Sequence, residues 1–272
     1  MTDEKPGTRS VTSRIDIEAT PEQVWAMLAT GEGMQRWFPI EARVTPGEGG
    51  ELWFSWGKGV MEGAAKIVVW DPPRRLVGEW GGMHDEYLLE GRGGVTTLTV
   101  VSSGFGEGSD WDEMLDSVRT GWAFELRGLK HAMEAHAGED RTVLRSVRRC
   151  APDREGLSAV VHDHALAPGT DLRRASEGDE VTLRLDGLGE VKGRVAVANG
   201  PRDMAIITPE LNEAYWRVLI EPPCAGSAEP AMDVTLWAST YGLDSARRDE
   251  LGRAIDRTLA RLLGERGERV EV

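Results

Sequence analysis

The sequence predicts an α+β protein built from two tandem domains, each a curved antiparallel sheet wrapped around a long C-terminal helix. Three observations lead there. The chain has 272 residues, more than one small core usually organises, so two domains of ordinary size are expected. The first half reads as one strand, two short helices, a run of strands separated by turn residues, and a long amphipathic helix. The second half then repeats that order roughly 130 residues later, about one domain length.

In the first half, Val11 to Glu18 alternates in strand fashion, with Ile15 and Ile17 on one face. Thr20 is a good N-cap, Pro21 suits the first helical position and Gln23 can close a capping box. The helix that follows sets Val24, Met27 and Leu28 on one stripe and ends near Gly31, and a second short helical turn is stopped by Pro39. The pattern then switches to strands, about six of them, over 41–47, 49–57, 60–70, 74–80, 85–91 and 94–105. Pro46-Gly47 and Asp71-Pro72-Pro73 supply turns, and the Thr-rich alternation of the last segment is strongly strand-like. From Trp111 to Ala137, the apolar residues Leu115, Val118, Trp122, Leu126, Leu129 and Met133 recur at three- and four-residue steps, the stripe of a core-facing helix. A curved antiparallel sheet around that helix is the simplest closure.

In the second half, 142–150 reads as a strand, and Ala151-Pro152-Asp153 opens a helix as Thr20-Pro21 does. Strands follow over 180–187, 190–208 and 232–243, and Leu251, Ile255, Leu259, Leu262 and Leu263 stripe a final helix. Lys192-Gly193 followed by Gly200-Pro201-Arg202 echoes Glu62-Gly63 followed by Pro72-Pro73-Arg74, and Thr235-Leu236 leading to Tyr241-Gly242 echoes Thr99-Val100 leading to Phe105-Gly106. The expected organisation is a flexible N-terminus over 1–10, domains at 11–138 and 142–264, and a tail at 265–272. The connector at 137–141 is short, so the halves are expected not to swing freely.

Composition excludes several function classes. Hydrophobic residues are 40% and charged residues 29%, a globular balance. A net charge of −14 repels phosphate backbones and anionic lipid surfaces, so nucleic acid is not an expected partner. No apolar run of about eighteen residues is present and the first residues lack an apolar signal core, so neither membrane insertion nor export is expected and a cytoplasmic location is. Cys150 and Cys224 are too few for a zinc cage or disulfide framework and read as ordinary thiols. His162 and His164 point apart on a helix, and His131 and His136 sit near a helix end, so no metal site is expected. The Gly-rich stretches lie between strands without a following helix and are turns, not phosphate loops.

The ordered segments Ala19-Thr20-Pro21-Glu22-Gln23-Val24-Trp25, Arg36-Trp37-Phe38, Pro46 to Gly50, Trp53-Phe54-Ser55-Trp56, Glu62-Gly63, Asp71 to Leu76, Trp80, Ser103-Gly104-Phe105 and Gly121 to Leu129 carry a family resemblance. Over roughly Val11 to His136 the chain resembles the START-like (SRPBCC) superfamily, in the branch of homologues of the activator of the heat-shock chaperone ATPase. The resemblance implies a helix-grip fold whose sheet and long helix enclose a cavity. It implies no single activity, since relatives include lipid carriers, polyketide cyclases, co-chaperones and many bacterial proteins. The second half keeps only traces, with no Arg-Trp-Phe, no Gly-Trp helix and no aromatic strand pair.

Ten Trp against four Phe and three Tyr suit a pocket, where an indole offers an apolar face and one N–H donor. Trp37, Trp53, Trp56, Glu62, Trp80, Phe105, Trp122 and Leu126 are the expected ligand-binding residues, although alternation sets Trp53 opposite Leu52 and Trp56. Glu62 is the candidate acid–base residue; Asp85 and Glu86 read as solvated strand positions, and Arg36 as a surface residue able to meet an acidic ligand. The expected function is binding of an apolar or aromatic small molecule, without a cofactor. The alternatives are a cyclase- or aromatase-like enzyme using Glu62, and a co-chaperone or other protein-interaction module. A protein partner or homodimer is compatible with each.

Overall fold

Thr20 closes the capping box that starts the first helix: its Oγ1 accepts from the Gln23 backbone N–H at 3.4 Å, and the Gln23 side chain accepts from the Thr20 N–H at 2.9 Å. The computed structural model describes residues 9–57, 61–162, 165–223 and 230–271. Cys224 and His164 lie outside them. The described residues form two units, 9–56 with 62–137, and 57 and 61 with 138–271.

The first unit contains β1 (Arg9–Ile17), α1 (Pro21–Ala29), α2 (Gly31–Gln35), β2 (Glu41–Thr45), β3 (Glu51–Ser55), β4 (Glu62–Asp71), β5 (Arg75–Trp80), β6 (Met83–Arg92), β7 (Val95–Phe105) and α3 (Ser109–Ala135). Its seven strands form one antiparallel sheet in the order β1-β7-β6-β5-β4-β3-β2. Strands β2 to β7 are a meander of short hairpins, and β1 closes it beside β7. Helix α3 runs along β1. Arg9 pairs with Asp112 at 2.6 Å near one end; near the other, Lys130 donates to the Asp16 carbonyl at 2.7 Å and the Glu18 N–H donates to Glu134 at 2.9 Å. Leu115, Trp122, Leu126 and Leu129 of the expected stripe are buried, as are Ile17, Ile67, Leu76, Leu98 and Val100 from the sheet.

The second unit contains β8 (Arg141–Cys150), α4 (Arg154–His162), β9 (Glu180–Leu185), β10 (Gly189–Asn199), β11 (Asp203–Thr208), β12 (Ala214–Glu221), β13 (Met232–Tyr241), α5 (Ser245–Leu263) and β14 (Gly267–Val270). Its antiparallel sheet runs β14-β8-β13-β12-β11-β10-β9. Stripped of its edges, this is the order of the first unit, with β8 in the place of β1, β13 of β7, β12 of β6, β11 of β5, β10 of β4 and β9 of β3. Both units are helix-grip domains. A bulge between Ile67 and Val69 in β4 recurs between Val195 and Val197 in β10, so the two ladders can be set in register residue by residue. Cis peptide bonds at Pro72-Pro73 and Gly200-Pro201 follow at matching turns.

The structure departs from the sequence reading in four places, the first being that 190–208, read as one strand, is the hairpin of β10 and β11. The segment 265–272, expected to be a tail, supplies β14, which pairs with the β8 edge from Gly267 opposite Cys150 to Val270 opposite Val147. Strand β12 was not legible, because Ala214 to Glu221 is apolar on both faces and buried at nearly every position. The echo of Glu62-Gly63 in Lys192-Gly193 is out of register: Gly63 faces Phe54 across the ladder and its counterpart is Val191, which faces Leu183.

Candidate functional site

Strand β6 alternates so that Met83, Asp85, Tyr87 and Leu89 share one face. Tyr87 pairs with Val100 and Asp85 with Ser102 on β7, both of them buried, which makes this the inner face. A carboxylate on such a face needs donors. The Ser102 hydroxyl donates to Asp85 Oδ1 in a very short contact, and Trp80 Nε1 donates to Oδ2 at 3.0 Å. From α3, Trp122 Nε1 donates to the Ser102 oxygen at 2.8 Å. The result is a chain of hydrogen bonds, Trp122 to Ser102 to Asp85, closed from the other side by Trp80. Ser102 is 2% and Trp122 7% exposed, whereas Asp85 and Trp80 are only partly buried. Burial raises the Asp85 carboxyl above its ordinary value, and the two hydrogen bonds offset part of that rise. Burial and the neighbouring Asp85 push the Tyr87 phenol well up.

Trp122 also joins this polar group to a cluster of rings. It stacks on Phe38 with centroids 5.6 Å apart and planes at 13°, and meets Tyr87 edge-on at 5.8 Å. Phe38 meets Trp56 at 4.9 Å and Phe54 at 6.3 Å, and Phe54 meets Trp56 at 5.2 Å. Gly63 makes room for Phe54, since a Cβ there would lie 2.9 Å from its ring. Phe38, Phe54 and Trp56 all remain partly exposed. Each such ring pair contributes about 0.5–1.5 kcal/mol beyond area burial.

The residues singled out in the sequence fall in different places. Trp56, Trp80 and Trp122 belong to this inner cluster. Trp37 is 2% exposed and donates to the Met27 carbonyl at 3.0 Å while stacking on Phe38, so it braces the cluster from behind. Phe105 is fully buried with Val11, Met83 and Leu115, and Leu126 is buried in the helix stripe. Trp53 lies on the other face of β3, with the Arg43 guanidinium 3.8 Å above its ring. Glu62 is exposed at the start of β4, where the Ser55 hydroxyl donates to it at 3.4 Å. Glu86 is paired with Arg75 at 2.6 Å. The carboxylate that reaches the interior is Asp85, which the sequence reading left at a solvated position; its signal was the period-two run Met83, Asp85, Tyr87, Leu89. His131 and His136 are buried with rings 5.1 Å apart. Among the described residues no group of three or more His, Cys, Asp or Glu is placed to hold a metal ion, and no helix is long and apolar enough to cross a membrane.

The matched ladders show what became of these positions in the second unit. Where the first has Gly63, Gly78, Asp85 and Ser102, the second has Val191, Ile206, Trp216 and Ala238, and Phe54 is replaced by Leu183. Trp216 is fully buried, with its Nε1 donating to Thr208 at 2.8 Å, and Ile206 and Ala238 are sealed in one aliphatic core with it. Phe54 and Asp85, partly exposed in the first unit, are thus replaced by the buried Leu183 and Trp216 in the second.

Among solved structures, the Aha1 dimer from Colwellia psychrerythraea is similar at 22% identity, covering 48% of this chain and 98% of that one with a TM-score of 0.43. CalU16 from Micromonospora echinospora is 26% identical over 47% of this chain and 77% of its own, with a TM-score of 0.39. DynU16, a protein of the dynemicin biosynthetic locus, is 18% identical but covers 94% of this chain and 98% of its own, with a TM-score of 0.41. No curated protein matches the chain. The family model described as Activator of Hsp90 ATPase homolog 1-like protein matches residues 18–134, from just after β1 to the last turn of α3.

Proposed function

We propose that the first unit binds an apolar, aromatic small molecule between its sheet and α3, and that the second unit is a filled-in copy that binds none. The observation that carries this reading is the partial exposure of Phe38, Phe54, Trp56, Trp80 and Asp85, inward-facing groups that a sealed core would bury, set against the closed counterparts Leu183 and Trp216. A mostly apolar lining with a few convergent polar groups is the usual make-up of a ligand site. The experiment is a titration of the full chain with naphthalene and pyrene, followed by tryptophan fluorescence, with native mass spectrometry of the freshly purified protein. Saturable quenching that weakens in Phe54→Ala but not in Trp237→Phe is expected. Absence of saturable quenching, together with no co-purified molecule, overturns the proposal.

A second reading is acid–base catalysis on the bound molecule, as in a cyclase-like enzyme. It is favoured by one observation, a half-buried carboxylate, Asp85, whose proton affinity burial has raised. Here Asp85 takes the role the sequence reading gave to Glu62. Turnover that survives Asp85→Asn removes it. The family's name raises a competing surface activity, stimulation of a chaperone ATPase. A chaperone ATPase rate unchanged on adding the chain counts against that.

A further inference from the structure

Resting on the first unit's interior as the ligand site, we infer that its ligand is a neutral hydroxyaromatic compound, phenolic in class, whose hydroxyl donates to Asp85. An ionised carboxylate only accepts hydrogen bonds and offers about four lone-pair positions on two oxygens. Ser102 occupies one position on Oδ1 and Trp80 one on Oδ2. Acceptor capacity therefore remains on a residue that is only partly buried. The single hydroxyl hydrogen of Ser102 is already spent on Asp85, and the Trp80 and Trp122 N–H groups are committed to Asp85 and Ser102. Among Trp80, Asp85, Ser102 and Trp122 no N–H or O–H is left for a ligand carbonyl, and the Asp85 carboxylate repels a ligand carboxylate. What complements it is a donor.

The orientation of the rings selects among donors. An organic cation is held by the negative faces of aromatic rings. Here both indoles turn their N–H edges to the polar pair, and the Trp122 ring stacks on Phe38. A neutral O–H meets the carboxylate without needing ring faces around it. The neighbouring rings of Phe38, Phe54, Trp56 and Trp122 suit the flat apolar body to which that hydroxyl is attached.

The test is titration of the full chain with four probes of one shape: naphthalene, 2-naphthol, 2-methoxynaphthalene and 2-naphthoate. A hydrogen bond to a charged acceptor predicts that 2-naphthol binds about tenfold or more tightly than naphthalene. The methyl ether, which has no donor, is expected to fall back to the level of naphthalene, and 2-naphthoate below it. In Asp85→Leu, with folding checked by circular dichroism, the preference for 2-naphthol is expected to vanish. The methyl ether makes the same comparison without altering the protein. Equal affinity for 2-naphthol and either naphthalene or the ether overturns the inference while leaving the binding site standing. So does a preference for 2-naphthoate, or a 2-naphthol preference that persists in Asp85→Leu. If no probe gives saturable quenching, the inference and the binding reading fall together.

Discussion

Ser102→Ala removes one oxygen and strands two groups. Trp122 Nε1, buried on α3, loses the acceptor that lies 2.8 Å away, and Asp85 Oδ1 loses the donor that stabilises its charge. A buried donor left without a partner costs about 1–3 kcal/mol. The Asp85 side is cheaper because that residue is only partly buried and keeps the Trp80 donor. A total of about 2–3 kcal/mol against the first unit follows. Urea unfolding monitored by tryptophan emission measures it well, since eight of the ten Trp lie in the first unit. With a slope of about 1–3 kcal/mol/M, the midpoint is expected to fall by roughly 1 M. Ser103→Ala, whose side chain points to the other face of β7, is the control and is expected to change stability by less than about 0.5 kcal/mol. Asp85→Leu combined with Ser102→Ala should cost less than the two single changes added together, because apolar groups replace both partners at once. A Ser102→Ala shift no larger than that of Ser103→Ala refutes the hydrogen-bonded chain.

Asp85 and His162 give pH dependences of opposite sign. Asp85 has a raised carboxyl, so the folded state holds its proton more tightly than the unfolded chain, and the contribution is lost as pH rises from the ordinary value of 3.8. Relative to Asp85→Asn, the wild-type urea midpoint is therefore expected to decline from pH 4 upwards; a parallel pair of curves contradicts this. His162 is fully buried at the end of α4, with its Nδ1 2.9 Å from the Ser158 hydroxyl, and desolvation lowers it from 6.5 to about 4. The unfolded chain binds the extra proton, so stability present above 6.5 is lost as pH falls towards 4, by about 3 kcal/mol. An NMR titration of the ring is expected to show no midpoint near 6.5; one found there refutes the burial argument. Thr20→Ala removes the capping box and is expected to cost about 1 kcal/mol, read as a fall in the thermal midpoint. Trp216→Ala empties a fully buried site in the second unit and is expected to cost about 3–5 kcal/mol, read by hydrogen exchange of β12 and its neighbours. Unchanged protection there contradicts the filled-in core.

The fold was legible where period and punctuation agree. The capping box at Thr20, the turn prolines and the apolar stripe of α3 each have one physical meaning in sequence, and each lies where it was expected. Strand β12 was lost because a strand buried on both faces has no alternation to read, and β14 because four residues after a helix carry too little pattern. The site was half legible. Aromatic residues announce a lining, but alternation on β3 alone decides that Trp56 faces in and Trp53 out. Asp85 escaped because an acidic residue beside His84 and Glu86 looks solvated. Its place depends on pairing with Ser102, 17 positions away in sequence. The filling-in of the second unit became visible only once the two ladders were set in register by their bulges.

Strand β14 has a consequence for how the molecule avoids its own copies. A β8 edge left bare presents a row of unpaired N–H and C=O groups, a template for any other chain with a free strand. Among the described residues the first unit has no strand outside β1, yet in the second the chain turns back after α5 and lays Gly267 to Val270 on Val147 to Cys150. Strand β14 thus acts as a guard strand. A chain stopped at Leu263 keeps every residue of the aliphatic core but bares that edge, and is expected to self-associate at concentrations where the full chain does not, as light scattering would reveal.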